Sequence, residues 1–429
     1  MRKSNIMKEL KSFLLLWSSQ AVSSLGTAMT EYALIVWVYR QKGTALCITL
    51  LTLCSFAPTI LFRFVAGAIA DRWDKKRIML AADLFAACGT FSVWLLYTFS
   101  ALQVWHLYLI NILLSFMNAF QEPAAFVATS ILVPKEHYTR VCGLQSFSGA
   151  AVSILAPAMS ASLLAFGGLK VVLICDLCSF FAAFIVLLFF IRIPKGEFSA
   201  KEQKESFRKA YVNGFRFLQS HTTLLRLILF ITCVNFLAKM SNDGLLAPFV
   251  LARAADNQQL LGVVQSFAAL GVMAGSLIVT WMKPAKNRLK LIGLSTAFVL
   301  SGNIFQSLST HPVVWCAAAF GAYAMAAVLN AHMTAFMREQ IPLELQGRVF
   351  SAESTLKNCA IPFGLFLGGL LADHVFEPLM ISKSALQKWL IPLFGEGTGA
   401  GIAVQFFTMG VLGLILCLTY LKMSDNSRA

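Results

Sequence analysis

The stretch Gly67-Ala-Ile-Ala-Asp71-Arg72-Trp73-Asp74-Lys75-Lys76-Arg77 separates two long apolar runs. Gly67 removes a side chain where one helix can press against another. Asp71 and Arg72 end the first run, and Lys75, Lys76 and Arg77 add three cations before the second begins. A basic turn between two runs long enough to cross hydrocarbon lies at a membrane face, and its cations hold that face on the cytoplasmic side. What flanks this turn decides the fold.

Working outward, the whole chain has a membrane composition. Of its 429 residues, 58% are hydrophobic and 13% charged, whereas soluble domains carry about 25% charged residues. Apolar runs of about 20 residues, the length that crosses a bilayer core, recur near 12–39, 44–71, 78–100, 104–125, 140–166, 169–193, 223–250, 259–282, 288–310, 312–336, 349–376 and 400–421. The expected fold is an all-α membrane protein of about twelve transmembrane spans. The run after Lys11 is too long for the core of a secretory signal and lacks a small-residue cleavage site, so it reads as an uncleaved first span.

A net charge of +15 would suit nucleic-acid binding, but the cations are sorted by membrane side. With the N-terminus in the cytoplasm, most of the 35 Lys and Arg fall on cytoplasmic segments, and Arg63, Lys239 and Lys357 fall inside spans. That asymmetry orients the chain in a plasma membrane with both termini cytoplasmic. The densest cluster, Arg192, Lys195, Lys201, Lys204, Arg208, Lys209 and Arg216, is expected along the anionic inner leaflet as a partly helical linker. No base-stacking motif accompanies it, so nucleic acid is not an expected partner. The ten cysteines lie almost wholly in apolar segments and read as small reduced hydrophobes that pack, Cys175-Asp-Leu-Cys178 included. The six histidines form no metal-spaced pair, and no Gly-x4-Gly-Lys-Ser/Thr loop occurs. No metal, no cofactor and no enzymatic activity are expected.

The chain also repeats. Gly67 has a counterpart in Gly275, 208 residues further on. The same offset aligns Pro134-Lys-Glu136-His-Tyr-Thr-Arg140-Val141 with Pro342-Leu-Glu344-Leu-Gln-Gly-Arg348-Val349, four identities in eight positions. Two pseudo-symmetric six-helix bundles follow, at 1–193 and 223–429, joined by a cytoplasmic linker at 194–222. Parallel repeats of this kind place a transport site near the bilayer midplane. In the second basic turn Val279 stands where Asp71 was, while Lys283, Lys286 and Arg288 keep the charge. Gating is therefore expected of the first copy, Gly67, Asp71, Arg72 and Arg77, together with Arg348 of the repeated segment.

A polar residue facing lipid at mid-bilayer costs about 2.5–3.5 kcal/mol or more, so those inside spans should face protein or water. Span 1 carries Gln20, Ser24, Thr27 and Glu31 at i, i+4, i+7 and i+11, one face of a helix. Span 4 carries Asn111, Ser115, Asn118 and Glu122 at the same spacing. Span 7 carries Thr232, Asn235, Lys239 and Asp243, and span 10 carries Tyr323, Asn330 and Thr334. The 208 offset pairs Glu31 with Lys239, Thr27 with Asn235 and Glu122 with Asn330. Movement of the Lys239 ammonium between Glu31 and Asp243 would change proton affinity during a transport cycle. These residues are the candidates for substrate contact and proton coupling. Other charges read as structural: Glu353 with Lys357 at i, i+4, Asp83 with the basic turn near Arg77, and Asp176 on free backbone N–H groups at the start of span 6.

The basic turn resembles the signature loop between helices 2 and 3 of the major facilitator superfamily. Within it, Gln340-Ile-Pro342-Leu-Glu344-Leu-Gln-Gly347-Arg348-Val349, Ala372-Asp373-His-Val-Phe376-Glu377-Pro378-Leu-Met380 and Gly395-Glu-Gly397-Thr-Gly399-Ala-Gly401 resemble the macrolide-efflux branch of the drug exporters. The resemblance implies a central cavity lined by spans 1, 4, 7 and 10, the spans whose stripes emerged from spacing alone. The superfamily's antiporter motif, Gly-x8-Gly-x3-Gly-Pro-x2-Gly-Gly, falls in span 5 on Gly143, Val152, Ala156, Pro157, Ser160 and Ala161. Only Gly143 and Pro157 match by identity, which keeps close packing and a bend but weakens the assignment to antiport. Span 4 also lacks the arginine that many proton-linked drug exporters carry.

The function expected is export of amphipathic, drug-like compounds of macrolide type by alternating access, driven by protons or sodium, from a monomer. Export of a siderophore or other secreted metabolite is the closest rival, and a lipid flippase is a more distant one.

Overall fold

The computed structural model describes residues 11–133, 138–191, 215–281, 287–382 and 385–426. Among these no strand occurs, as hydrocarbon demands of a chain that must satisfy its own backbone within each segment. The helices are α1 (Lys11–Lys42), α2 (Ala45–Arg72), α3 (Lys75–Thr98), α4 (Val104–Leu132), α5 (138–167) and α6 (169–185), which ends in a π-helical turn, Val186–Phe190. There follow α7 (Thr222–Met240), α8 (Asn242–Arg253), α9 (Gln258–Trp281), α10 (Arg288–Ser307), α11 (Pro312–Gln340), α12 (Leu343–Leu371), a second π-turn (Ala372–Phe376), α13 (Glu377–Ile381), α14 (Ala385–Phe394) and α15 (Ala400–Asn426).

Ten stretches are long and apolar enough to cross a membrane. One of them, 147–190, reverses at Gly168, whose φ of 68° suits a residue without Cβ, and so crosses twice. The polar stripe of α4 dilutes its apolar character. With α4 included and α7–α8 forming one crossing, twelve spans result, with boundaries close to those read from hydropathy.

The chain divides into two compact units, 1–43 with 50–198, and 44–49 with 199–429. Most of the basic linker at 194–222 lies outside the described residues. In the first unit α1 packs along α5 and α6, and α3 packs on α4. The basic turn has a structural role: the Asp74 carboxylate accepts from Arg77 N–H at 3.1 Å to cap α3. Lys76 Nζ donates to the Leu188 and Ile191 carbonyls at 2.9 and 2.7 Å, closing the π-turn after α6. A cation at a helix C-terminus is favoured by the aligned peptide dipoles. Arg77 is exposed, while the side chains of Asp71, Arg72 and Arg348, and residues Gly67 and Gly143, lie outside the described set.

In the second unit α9 lies directly against α11: a Cβ on Gly271 or Gly275 would overlap the backbone of Phe320 or Ala324. Small residues four apart permit that approach. The α12 glycines do the same to α7, where a Cβ on Gly364 would stand 2.9 Å from the Phe236 carbonyl oxygen and one on Gly368 2.9 Å from Met240 Cα. The unit also contains the first turn of α2, whose Ala45 and Leu46 N–H groups donate to the Asp373 carboxylate at 3.0 and 2.7 Å.

The span read as helix 7 is broken. Ser241 leaves helical geometry (φ −123°, ψ −119°) between α7 and α8. A carbonyl freed inside hydrocarbon costs several kcal/mol unless paired, and here Gln405 Nε2 donates to the Met240 carbonyl at 2.8 Å and to that of Gly368 at 3.0 Å. Asn303 Nδ2 donates to the Ser241 hydroxyl at 2.9 Å, which in turn donates to the Leu237 carbonyl at 2.8 Å. The described cysteines are all free, and several, Cys88, Cys175 and Cys178 among them, are exposed on the unit surface rather than packed as expected.

Candidate functional site

A cavity of about 320 Å³ opens inside the first unit. The α1 stripe builds one wall: Gln20, Ser24, Thr27 and Glu31 all line it, as their helical spacing requires, with Ser23 and Thr30 beside them. From α4 come Asn111, Ser115 and Asn118. Glu31 and Asn118 are exposed to this space, and no hydrogen bond or ion pair engages Glu31 among the described residues. Its carboxylate is open to water or to a guest.

Glu122 departs from expectation: it is exposed but does not line the cavity. Gln121 does so instead, two residues before Pro123, which stands inside α4. A proline clashes with the carbonyl four residues before it, here that of Ala119, and bends the helix over that turn, so a spacing rule laid from Asn111 fails at Glu122.

Two further carboxylates line the cavity where sequence reading placed structural charges. Asp83 of α3 is 4% exposed and accepts from Gln121 Nε2 at 2.7 Å and Gln20 Nε2 at 3.3 Å. Its described partners are amides from α1 and α4, not the basic turn. Asp176 of α6 is 1% exposed and accepts, through Oδ2, from the Thr30 and Thr90 hydroxyls at 2.8 and 3.1 Å. It does not cap the start of α6, because side-chain hydroxyls of α1 and α3 reach it first. Its Oδ1 has no hydrogen-bond partner among the described residues and lies against Gly26, where a Cβ would stand 2.8 Å away. Glu31, Asp83 and Asp176 thus border one space with no Lys or Arg among its described lining residues.

A second cavity of about 280 Å³ adjoins the first at Gln20 and Ser24. Phe13, Leu16, Trp17, Met79 and Val152 make it mostly apolar. The Trp17 indole is fixed by a 3.2 Å bond to Ser148 Oγ of α5. Together the two cavities offer an acidic, hydroxyl-rich chamber and an apolar annex along the same face of α1.

The candidates of the second unit are spread out. Lys239 and Asn235 are half-buried on α7, with Lys239 two residues before the break at Ser241. Thr232 spends its hydroxyl on the Ile228 carbonyl at 2.8 Å and that of Leu356 at 3.3 Å. Asn330 is exposed on α11, and the Asp243 side chain lies outside the described set. Pro157 sits inside α5, and the neighbouring Ser160 donates to the Met29 carbonyl at 2.7 Å, joining α5 to α1. Glu353 and Lys357 form the expected ion pair one turn apart.

A family model described as "Major Facilitator Superfamily" matches residues 16–365. Macrolide efflux protein A of Streptococcus pyogenes is 27% identical over 369 residues, covering 85% of this chain and 90% of that protein. The protein of the same name from Enterococcus faecalis is 26% identical over 329 residues, 75% of this chain and 100% of that one. Among solved structures, a bacterial homolog of the human lysosomal transporter Spinster aligns with a TM-score of 0.69 at 15% identity, over 96% of this chain and 98% of that one.

Proposed function

The chain belongs to the Major Facilitator Superfamily, and from that premise we propose that it exports amphipathic drug-like compounds of macrolide type by proton-coupled antiport. It does so by alternating access in the cell membrane, with both termini cytoplasmic and as a monomer. The bundles run over 1–193 and 223–429, with the linker 194–222 on the cytoplasmic face. The reading rests above all on the paired cavities of the first unit. An amphipathic guest needs an apolar wall and a polar end, and these adjoin at Gln20 and Ser24. Glu31 supplies a carboxylate that a proton and a cationic or hydrogen-bonding guest would compete for. Exclusive occupancy of one group is the simplest physical basis for antiport. An acidic cargo, as many siderophores are, would meet three carboxylates and no cation among the described lining residues, which favours the drug-like reading over the metabolite one. Names of efflux proteins among the relatives point the same way.

The test is transport by purified protein in proteoliposomes carrying an imposed pH gradient, with radiolabelled erythromycin as cargo and a fluorescent phospholipid as control. Gradient-dependent erythromycin movement that collapses with an ionophore supports the proposal. Protein-dependent lipid movement without erythromycin flux, or erythromycin flux indifferent to the gradient, refutes it.

A further inference from the structure

The segment between α12 and α15 contains α14 (Ala385–Phe394), a ten-residue helix tied down at both ends. Near its start Gln387 Nε2 donates to the Met380 carbonyl at 2.8 Å. At its end the Arg253 guanidinium donates to the Phe394 carbonyl, so the last residue of α8 caps α14 with a cation where the peptide dipole favours one. The glycine-rich turn that follows holds this mount. Gly395, Gly397 and Gly399 take φ of 72°, 93° and 82°, values open to glycine, and bring Thr398 Oγ1 within 3.2 Å of the Ala252 carbonyl.

So fixed, α14 buries Phe394 and turns another face outward. Leu386, Trp389 and Leu393 stand at i, i+3 and i+7, one helical stripe, and are 54%, 80% and 56% exposed. Lys388 is exposed beside them. A helix free to move could fold such a stripe inward; one clamped by Arg253 and Gln387 cannot. On the preceding span and its end Phe363, Val375 and Ile381 are exposed as well. The span Ala352–Ile381 ends just before α14 and the span Ala400–Met423 begins just after it, so α14 lies where both cross the membrane boundary.

We propose that α14 is a membrane-interface anchor whose Leu386–Trp389–Leu393 face rests in the headgroup–acyl boundary of the bilayer. The chemistry fits that layer. An amphipathic helix lies in the interface with its apolar side sunk about 5–10 Å, tryptophan concentrates at that depth, and lysine extends its ammonium to the headgroups from an apolar stem. The anchor fixes the depth of the α8 end through Arg253, and with it the level of the second unit in the bilayer.

The experiment compares wild-type protein with Trp389→Phe in vesicles of phosphatidylcholine brominated either near the carbonyl or near the middle of the chain. The emission lost on substitution isolates Trp389 from the other seven tryptophans. The anchor predicts that this component is quenched more strongly by the shallow bromine than by the deep one, and weakly by aqueous iodide. Dominant iodide quenching would show an aqueous face and overturn the proposal. Stronger quenching by the deep bromine would place the helix in the core, and protection from all three quenchers would mean that a second copy or another protein covers the stripe. Either result also overturns it. Elution of both proteins at one size in mild detergent confirms that the substitution leaves the fold intact.

Discussion

Residues 31 and 239 are counterparts across the internal repeat, yet their helices spend polar groups differently. In the first unit α1 runs unbroken past Glu31, with Ala33 buried, and its polar stripe faces a cavity. In the second unit the equivalent helix breaks at Ser241, the counterpart of Ala33, and buried Asn303 and Gln405 are consumed in holding that break. The crossing helices differ in step. Ser160 of α5 donates to α1 through its hydroxyl, whereas its counterpart Gly368 lets α12 touch Met240 and offers a carbonyl to Gln405. The first unit holds an acidic chamber where the second holds a supported discontinuity. Discontinuous spans are stable in a bilayer only where freed carbonyls find partners, so Ser241, Asn303 and Gln405 of the second unit are committed to the break.

This contrast can be broken at several points. The largest effect is expected for Gly368→Leu, whose side chain has no space against the α7 backbone; monodisperse protein should be lost on gel filtration. Gln405→Leu should leave the Met240 carbonyl without its amide partner, while Gly368 keeps the Ala372 N–H, and cost about 1–3 kcal/mol, read as a lower midpoint in a thermal-stability assay. Asp373→Ala removes the acceptor for Ala45 and Leu46 N–H and should cost about 1 kcal/mol in the same assay. The first-unit counterpart of the glycine contact, Ser160→Ala, gives up one hydrogen bond and should lower stability by about 1 kcal/mol or less while leaving the protein monodisperse. A Gln405→Leu protein as stable as wild type would mean that the break does not need its partner.

Helix count, the boundary between spans 140–166 and 169–193, and the α1 stripe are legible because each is written in local order: apolar length, the end of an apolar run, and a 3.6-residue period. The α4 stripe was legible as far as Asn118 and failed at Glu122, next to Pro123. Asp83 and Asp176 were misassigned for a different reason. Each is a lone carboxylate on its helix, so periodicity says nothing, and its partners (Gln20 and Gln121, Thr30 and Thr90) come from other helices. Only packing brings them together. The break at Ser241 has one local signal, Gly244 three residues on, where a Cβ would overlap the Lys239 carbonyl oxygen, but the supporting amides lie 62 and 164 residues away. The α14 anchor was hidden in what composition reads as a loop, since ten residues are too few to register as a span.

On the proposed mechanism, protons and cargo compete in the acidic chamber of the first unit, with Glu31 as the open carboxylate. The most direct measurement is pH-gradient-driven erythromycin transport in proteoliposomes by Glu31→Gln and Glu122→Gln proteins reconstituted at equal amounts. Glu31→Gln is expected to lose gradient-driven accumulation while Glu122→Gln, altered outside the chamber, keeps it. Wild-type transport by Glu31→Gln would show that proton and cargo do not compete at this carboxylate.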